Sequence, residues 1–238
     1  MRILDFFERA YVVNLPERRD RRQAIIQNLE KIEMPLTPGK LEIFPAIRPT
    51  EANGFPGIGA RGCFMSHLQI LKMAHNEGLS NVLIMEDDLL IKKQLQADQN
   101  RLIEQLRQTD WGFAYFGHNK NIPSTSLTAQ FFPFSEEILT THFYGVNGKI
   151  FDRLINFLEI LQQRPPGHPE GGPMHLDGAY NTFRAQNPDV VALRSIPNLG
   201  IQRSSRSDIH NTAWFDTVPV VSQLVNLARV GRSAVKAW

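Results

Sequence analysis

The chain has 238 residues, of which 42% are apolar and 21% charged, with a net charge of +2. That is the balance of a globular protein, against disorder as the default, and leaves no electrostatic argument for nucleic-acid binding, while the length supplies a full core in one large domain or two small ones. One cysteine, Cys63, excludes an intrachain disulfide, and neither a secretory signal nor a run of about 18 apolar residues occurs, so a soluble or peripheral protein in a reducing compartment is expected.

Ala10–Leu15 reads as a first buried strand, stopped by Pro16. Asp20 is placed to cap the helix that follows, which runs to about Met34 with Ile25, Ile26, Leu29 and Ile32 on its apolar face. Arg18, Arg19, Arg21 and Arg22 crowd the first turn of that helix, where positive charge opposes the dipole by about 0.3–1 kcal/mol per exposed residue. Either an anionic partner offsets this or the cluster is a solvated one paired with Glu17, Asp20 and Glu30. Leu41–Phe44 is a second strand, and the Pro- and Gly-rich stretch 48–60 is a loop. A helix is predicted over about Gly62–Asn76, carrying Ser66 and His67, with Cys63 as a packing residue.

Val82-Leu83-Ile84-Met85 is a short apolar run of the kind that a strand covered on both faces shows, and it ends in Glu86-Asp87-Asp88. Three adjacent carboxylates repel one another unless a cation or donor-rich partner lies among them, and oxygen ligands at a strand end suit Mg²⁺ or Mn²⁺. The alternative is an acidic strand end that turns into solvent.

A polar helix over about 95–107 follows, then a strand at 111–116 ending near His118. Phe131, Phe132 and Phe134 form an aromatic patch, 140–146 reads as a strand, and about 149–163 as a helix with Ile150, Leu154, Ile155, Leu158 and Leu161 inward. Residues 164–173 are a Pro/Gly-rich break and the best candidate for a lid. Asp177 heads a helix to about Gln186, where N-capping contributes about 1 kcal/mol. Residues 190–193 form a last strand, and Arg203 and Arg206, interleaved with hydroxyls, are suited to a pyrophosphate or to a plain surface loop. The stretch 216–238 is a basic amphipathic tail that can rest on an anionic membrane, pack on its own domain or stay disordered.

Five of these segments, in order, resemble glycosyltransferase family 25: Tyr11–Leu15 with the arginines after it, Gly59–His67, Leu83–Asp88, Leu176-Asp177, and Pro197 with Gln202 and Ser207–Ile209. The family includes bacterial lipooligosaccharide galactosyltransferases and animal collagen galactosyltransferases. Its usual Gly-Glu before the Gly-Cys step is departed from here, because Ala60 stands in place of the acid.

The resemblance implies a GT-A type α/β fold with a mixed, mostly parallel sheet in a single catalytic domain over 1–215. A nucleotide-sugar half would span about 10–117 and an acceptor half about 118–215. It also implies inverting transfer of a sugar, commonly galactose from UDP-galactose, with Mn²⁺ or Mg²⁺, to a glycan or lipid-linked glycan of the lipopolysaccharide type. The cytoplasm is the expected place, with peripheral membrane contact through the tail. Under that reading Asp88 is the direct metal ligand, with Glu86, Asp87 and His210 as further metal-site residues. Asn14, Arg19, Arg21, Ser66, His67, Gln202, Arg203, Arg206 and Ser207 form the donor set. Asp177 is the base, with His175 and His118 as weaker candidates. A non-catalytic nucleotide-sugar or glycan binder, and a metal-dependent hydrolase or phosphotransferase, are the rival classes.

Overall fold

In the computed structural model residues 2–120, 122 and 126–203 are described, so the expectations for Arg206, Ser207, His210 and the 216–238 tail lie outside them. The elements in chain order are α1 (Ile3–Phe6), β1 (Arg9–Asn14), α2 (Arg19–Lys31), β2 (Leu41–Pro45), α3 (Ile58–Asn76), β3 (Asn81–Glu86) and β4 (Leu89–Ile91). There follow α4 (Gln94–Gln108), β5 (Phe113–Tyr115), β6 (Gln130–Pro133), β7 (Phe143–Asn147), α5 (Phe151–Gln163), α6 (Leu176–Gln186), β8 (Ala192–Ile196) and β9 (Gly200–Gln202).

Seven strands make the central sheet in the order β2-β1-β3-β7-β5-β8-β6, with β4 and β9 forming a separate ribbon. Pairing is parallel for β2–β1, β1–β3 and β5–β8, while β7 and β6 run against their neighbours. This is the expected mixed, mostly parallel α/β sandwich. β3 shows why its sequence is continuously apolar. Val82 and Ile84 face one core with Phe64, Leu68 and Leu71 of α3, and Leu83 and Met85 face a second core with Ile25, Leu29 and Leu102 of α2 and α4. A strand buried on both faces needs apolar side chains at both parities.

The boundaries differ from the sequence reading at informative places. α2 begins at Arg19, and Asp20 accepts from the Arg18 guanidinium at 3.1 and 3.0 Å instead of capping the helix. α3 starts four residues early, at Ile58, because the Gly57 backbone is extended and releases the chain into the helix there. His175, not Asp177, occupies the N-cap of α6, which places Asp177 in the first turn. The strand read at 190–193 lies at Ala192–Ile196 and is followed by one more, and the ribbon strands β4 and β9 have no counterpart in the sequence reading. The 164–173 break is tied across its neck, with Arg164 Nη1 donating to Glu170 O and Nη2 to Glu170 Oε2, both at 2.7 Å. Among the described residues no helix is long and apolar enough to cross a membrane.

Candidate functional site

The site grows from the carboxyl ends of β1 and β3. Because Val13 pairs with Glu86, Asn14 arrives beside the turn that follows β3, and its Nδ2 donates to Asp87 Oδ2 at 2.7 Å. Arg21, in the first turn of α2, reaches the same turn: Nη1 is 3.0 Å from Asp87 Oδ1 and 3.6 Å from Asp88 Oδ2. Asp87 therefore has both oxygens engaged, and for Arg21 the anion that offsets the arginine cluster is a carboxylate of its own chain.

The turn at Asp87-Asp88 leads into β4, whose pairing with β9 sets Gln202 opposite Leu89. Gln202 Nε2 thereby donates to Glu86 Oε2 at 3.2 Å and Asp88 Oδ2 at 3.4 Å. Arg203 holds the turn's backbone, N to Asp88 O at 2.8 Å and Nη2 to Asp87 O at 3.2 Å. Thr141 donates to Glu86 Oε1 at 3.3 Å. Asp88 Oδ1 is buried and has no hydrogen-bond partner among the described residues.

Such crowding raises proton affinity. Burial, then the neighbouring charges of Asp88 and Asp87, push the Glu86 carboxyl up to about 8. Burial likewise pushes Asp88 up to about 6, with Arg21 pulling it down and Asp87 pushing it up. A divalent ion would relieve both effects. The donor set fits a hard cation, since Asp88 Oδ1 is a carboxylate oxygen without a partner among the described residues and has Glu86 and Asp87 beside it. A second group, Cys63 Sγ, His67 and Glu86, has ligand atoms within 4.8 Å of one another. It fits less well, because burial and then Glu86 push the Cys63 thiol well above its ordinary range, against the thiolate a metal needs.

These carboxylates line a cavity of about 310 Å³ together with the apolar Val13, Leu15, Ala46, Ile47 and Pro49 and the basic Arg21 and Arg48. The segment 46–49 is held there by α3. Ser66 Oγ donates to Gly62 O at 2.7 Å and accepts from Ile47 N at 2.8 Å, and a Cβ at Gly62 would come within 2.5 Å of Ile47 O. Ser66 is thus a buried fastener of the wall and does not line the cavity.

His67 does line it. Its Nδ1 lies 2.7 Å from Tyr144 Oη, which lies 2.9 Å from Tyr180 Oη, and Nε2 is 3.9 Å from Glu86 Oε1. Burial lowers His67 to about 3, so the ring is neutral at physiological pH.

A smaller cavity of about 110 Å³ meets the first at Cys63, Glu86 and Gln202, and its lining includes Ala60, Thr141, His175 and Asp177. Asp177 Oδ1 accepts from Gly178 N at 2.8 Å. The fold brings together Glu86, Asp87, Asp88, Asn14, Arg21, His67, Gln202, Arg203 and Asp177. Arg19 is exposed on α2 and lines neither cavity, and His118 lies in a third cavity. Sequence reasoning missed Cys63, which lines both cavities, and Thr141 and Arg48. The dense Gly59–His67 stretch was the available signal for the first of these.

Residues 57–162 match the sequence model of glycosyltransferase family 25 (LPS biosynthesis protein), a span that includes the acidic turn but neither β1 nor Asp177. Procollagen galactosyltransferase 2 of Mus musculus is 26% identical over 132 residues, 48% of this chain and 21% of the relative. Inactive glycosyltransferase 25 family member 3 of Homo sapiens is 26% identical over 145 residues, 53% of this chain and 24% of the relative. The aligned part is thus between a fifth and a quarter of these relatives' length. A solved glycosyltransferase involved in the glycosylation of the major capsid of PBCV-1 superposes with a TM-score of 0.39 at 10% identity, covering 79% of this chain and 92% of that one. Over residues 57–162 the chain is therefore similar to glycosyltransferase family 25.

Proposed function

We propose that this chain transfers a sugar from a nucleoside-diphosphate donor, UDP-galactose in the first instance, to a glycan acceptor with inversion at the anomeric carbon. The observation that carries this reading is the shared wall. A cavity lined by a carboxylate cluster and apolar residues shares Cys63, Glu86 and Gln202 with a second cavity that holds a carboxylate, Asp177. Two substrates can meet across that wall, as a transfer requires.

Asp88, with Glu86 beside it, would hold a divalent ion, which neutralises charge on the departing diphosphate. Arg21 orients Asp87 and Asp88 and adds positive charge beside the donor. The Ile47–Pro49 wall, fastened by Ser66, gives the base and ribose an apolar surface. Asp177 takes the proton of the acceptor hydroxyl as its oxygen bonds to the anomeric carbon and the bond to the diphosphate oxygen breaks. His67 remains neutral and uncharged beside Glu86.

A thermal-shift panel of nucleotide sugars with and without Mn²⁺ tests the reading. Stabilisation by a nucleotide sugar that requires metal supports it, and no stabilisation by any donor counts against it. Relatives named inactive or probable inactive support a second reading, a binder that keeps the fold without turnover. Metal-dependent stabilisation without release of nucleoside diphosphate distinguishes that case.

A further inference from the structure

A third cavity, of about 610 Å³, lies beyond Gln202 and shares Gln202 and Thr140 with the catalytic cavities. Its walls come from four places: Lys92 after β4, His118–Lys120 after β5, Thr140 and His142 before β7, and Ile196–Asn198 with Ile201 around β9. The walls are built rather than incidental. Lys92 N donates to Leu199 O at 2.9 Å, His118 N to Asn198 Oδ1 at 3.3 Å, and Asn198 Nδ2 to His118 O at 2.5 Å. His142 Nε2 donates to Gly200 O at 3.0 Å.

Charge is distributed unevenly in this space. The described lining contains Lys92 and Lys120 and no aspartate or glutamate. Both lysines are half-buried. Burial lowers the Lys92 pKa with no carboxylate acting in the opposite direction, so its ammonium is desolvated without an acidic partner among the described residues. His118 and His142 are also held low by burial, the latter to about 4, and add no charge at neutral pH. The junction with the Asp177 cavity carries one further unmet group, since Thr140 Oγ1 has no hydrogen-bond partner among the described residues. A polar cavity of this size with two cations and no anion among its described lining residues is suited to an acidic ligand.

We propose that this cavity is an acceptor subsite for an anionic carbohydrate, a sugar bearing a phosphate or carboxylate that Lys92 and Lys120 hold while a hydroxyl of the acceptor reaches Asp177 past Thr140 and Gln202. The inference rests on the transfer reading and names its acceptor class. The cavity is about twice the volume of the donor cavity, 610 against 310 Å³, which leaves room for more than one sugar ring.

Saturation-transfer NMR on the full chain tests it with four probes: glucose 6-phosphate, glucuronic acid, glucose and inorganic phosphate. At least one charged sugar should bind tenfold or more tightly than glucose and than phosphate alone. The Lys92→Met/Lys120→Met variant should reduce that binding to the level of glucose, and Lys92→Arg/Lys120→Arg should keep it. Equal binding of charged and neutral sugars overturns the proposal. So does phosphate alone binding as tightly as the sugar phosphate, or a methionine variant that binds as the parent does. Release of UDP from UDP-galactose is followed separately. Selective binding without release would count against the transfer reading and leave the cavity's anion preference standing, whereas release without selective binding would do the reverse.

Discussion

Replacing Arg21 by methionine removes the cation between two buried carboxylates. Arg21 Nη1 stands 3.0 Å from Asp87 and 3.6 Å from Asp88, and the three side chains are only 12%, 9% and 11% exposed. At an effective dielectric constant of about 20 each contact is worth roughly 5 kcal/mol of attraction, most of it offset by desolvation. Deleting one partner leaves the desolvation of the others in place, so the net loss should be about 3–5 kcal/mol. For a chain of this size that lowers Tm by roughly 6–20 °C. The pH dependence has a definite sign. Asp88 already titrates near 6 with Arg21 pulling it down, and losing Arg21 raises it further. The folded variant then holds a proton that the unfolded chain releases, so its deficit against the parent is smallest in acid and grows through neutral pH. Urea denaturation of parent and variant between pH 4 and 8 measures this. Adding Asp87→Asn to the variant should recover at least half of the loss. A deficit below about 1 kcal/mol at pH 7, the size of a surface ion pair, or one independent of pH, would refute the reasoning.

Three further outcomes follow from the same geometry. Glu86, raised to about 8, binds a proton in the folded state that is lost in the unfolded chain above about 4.5, so its contribution to stability falls as pH rises across that interval. Glu86→Gln should therefore match the parent near pH 4 and exceed it at pH 8 in the absence of divalent ions, and parallel pH profiles would contradict this. Gly62→Ala forces a Cβ within 2.5 Å of Ile47 O and 3.2 Å of Pro49 Cδ, so it should cost about 1–3 kcal/mol and weaken nucleotide binding; unchanged melting and unchanged affinity by calorimetry would show the wall is not fixed there. Asp177→Asn should lower kcat by roughly 10²–10⁴-fold with donor affinity intact, and a loss of donor affinity instead would move Asp177 out of the proton-transfer role.

The strands were legible because burial on two faces leaves an unbroken apolar run, as in Val82–Met85, and helix faces were legible from spacing, as in Ile25 and Leu29 of α2. The acidic turn was legible for a related reason, since a buried strand ending in three carboxylates needs compensation somewhere. What compensates it was only partly readable. Asn14 and Arg21 are near β1 in sequence, whereas Gln202 is delivered by pairing Leu89 with Gln202 across more than a hundred residues. The three-residue strands of that ribbon carry too little pattern to announce themselves. Ser66 illustrates a different limit. A hydroxyl in a dense motif reads as a ligand, yet here its partners are Gly62 O and Ile47 N, so it shapes the cavity from behind. Cys63 is the converse, a small apolar residue by type that stands where two cavities meet.

The central claim is that the acidic turn and Asp177 serve one transfer, and release of UDP from UDP-galactose with Mn²⁺ tests it most directly. The account predicts release that requires the ion, that is abolished by Asp88→Asn, and that falls sharply with Asp177→Asn while UDP-galactose still binds. Folded protein that releases no nucleoside diphosphate from any nucleotide sugar in the presence of Mn²⁺, or an Asp88→Asn variant as active as the parent, would contradict it.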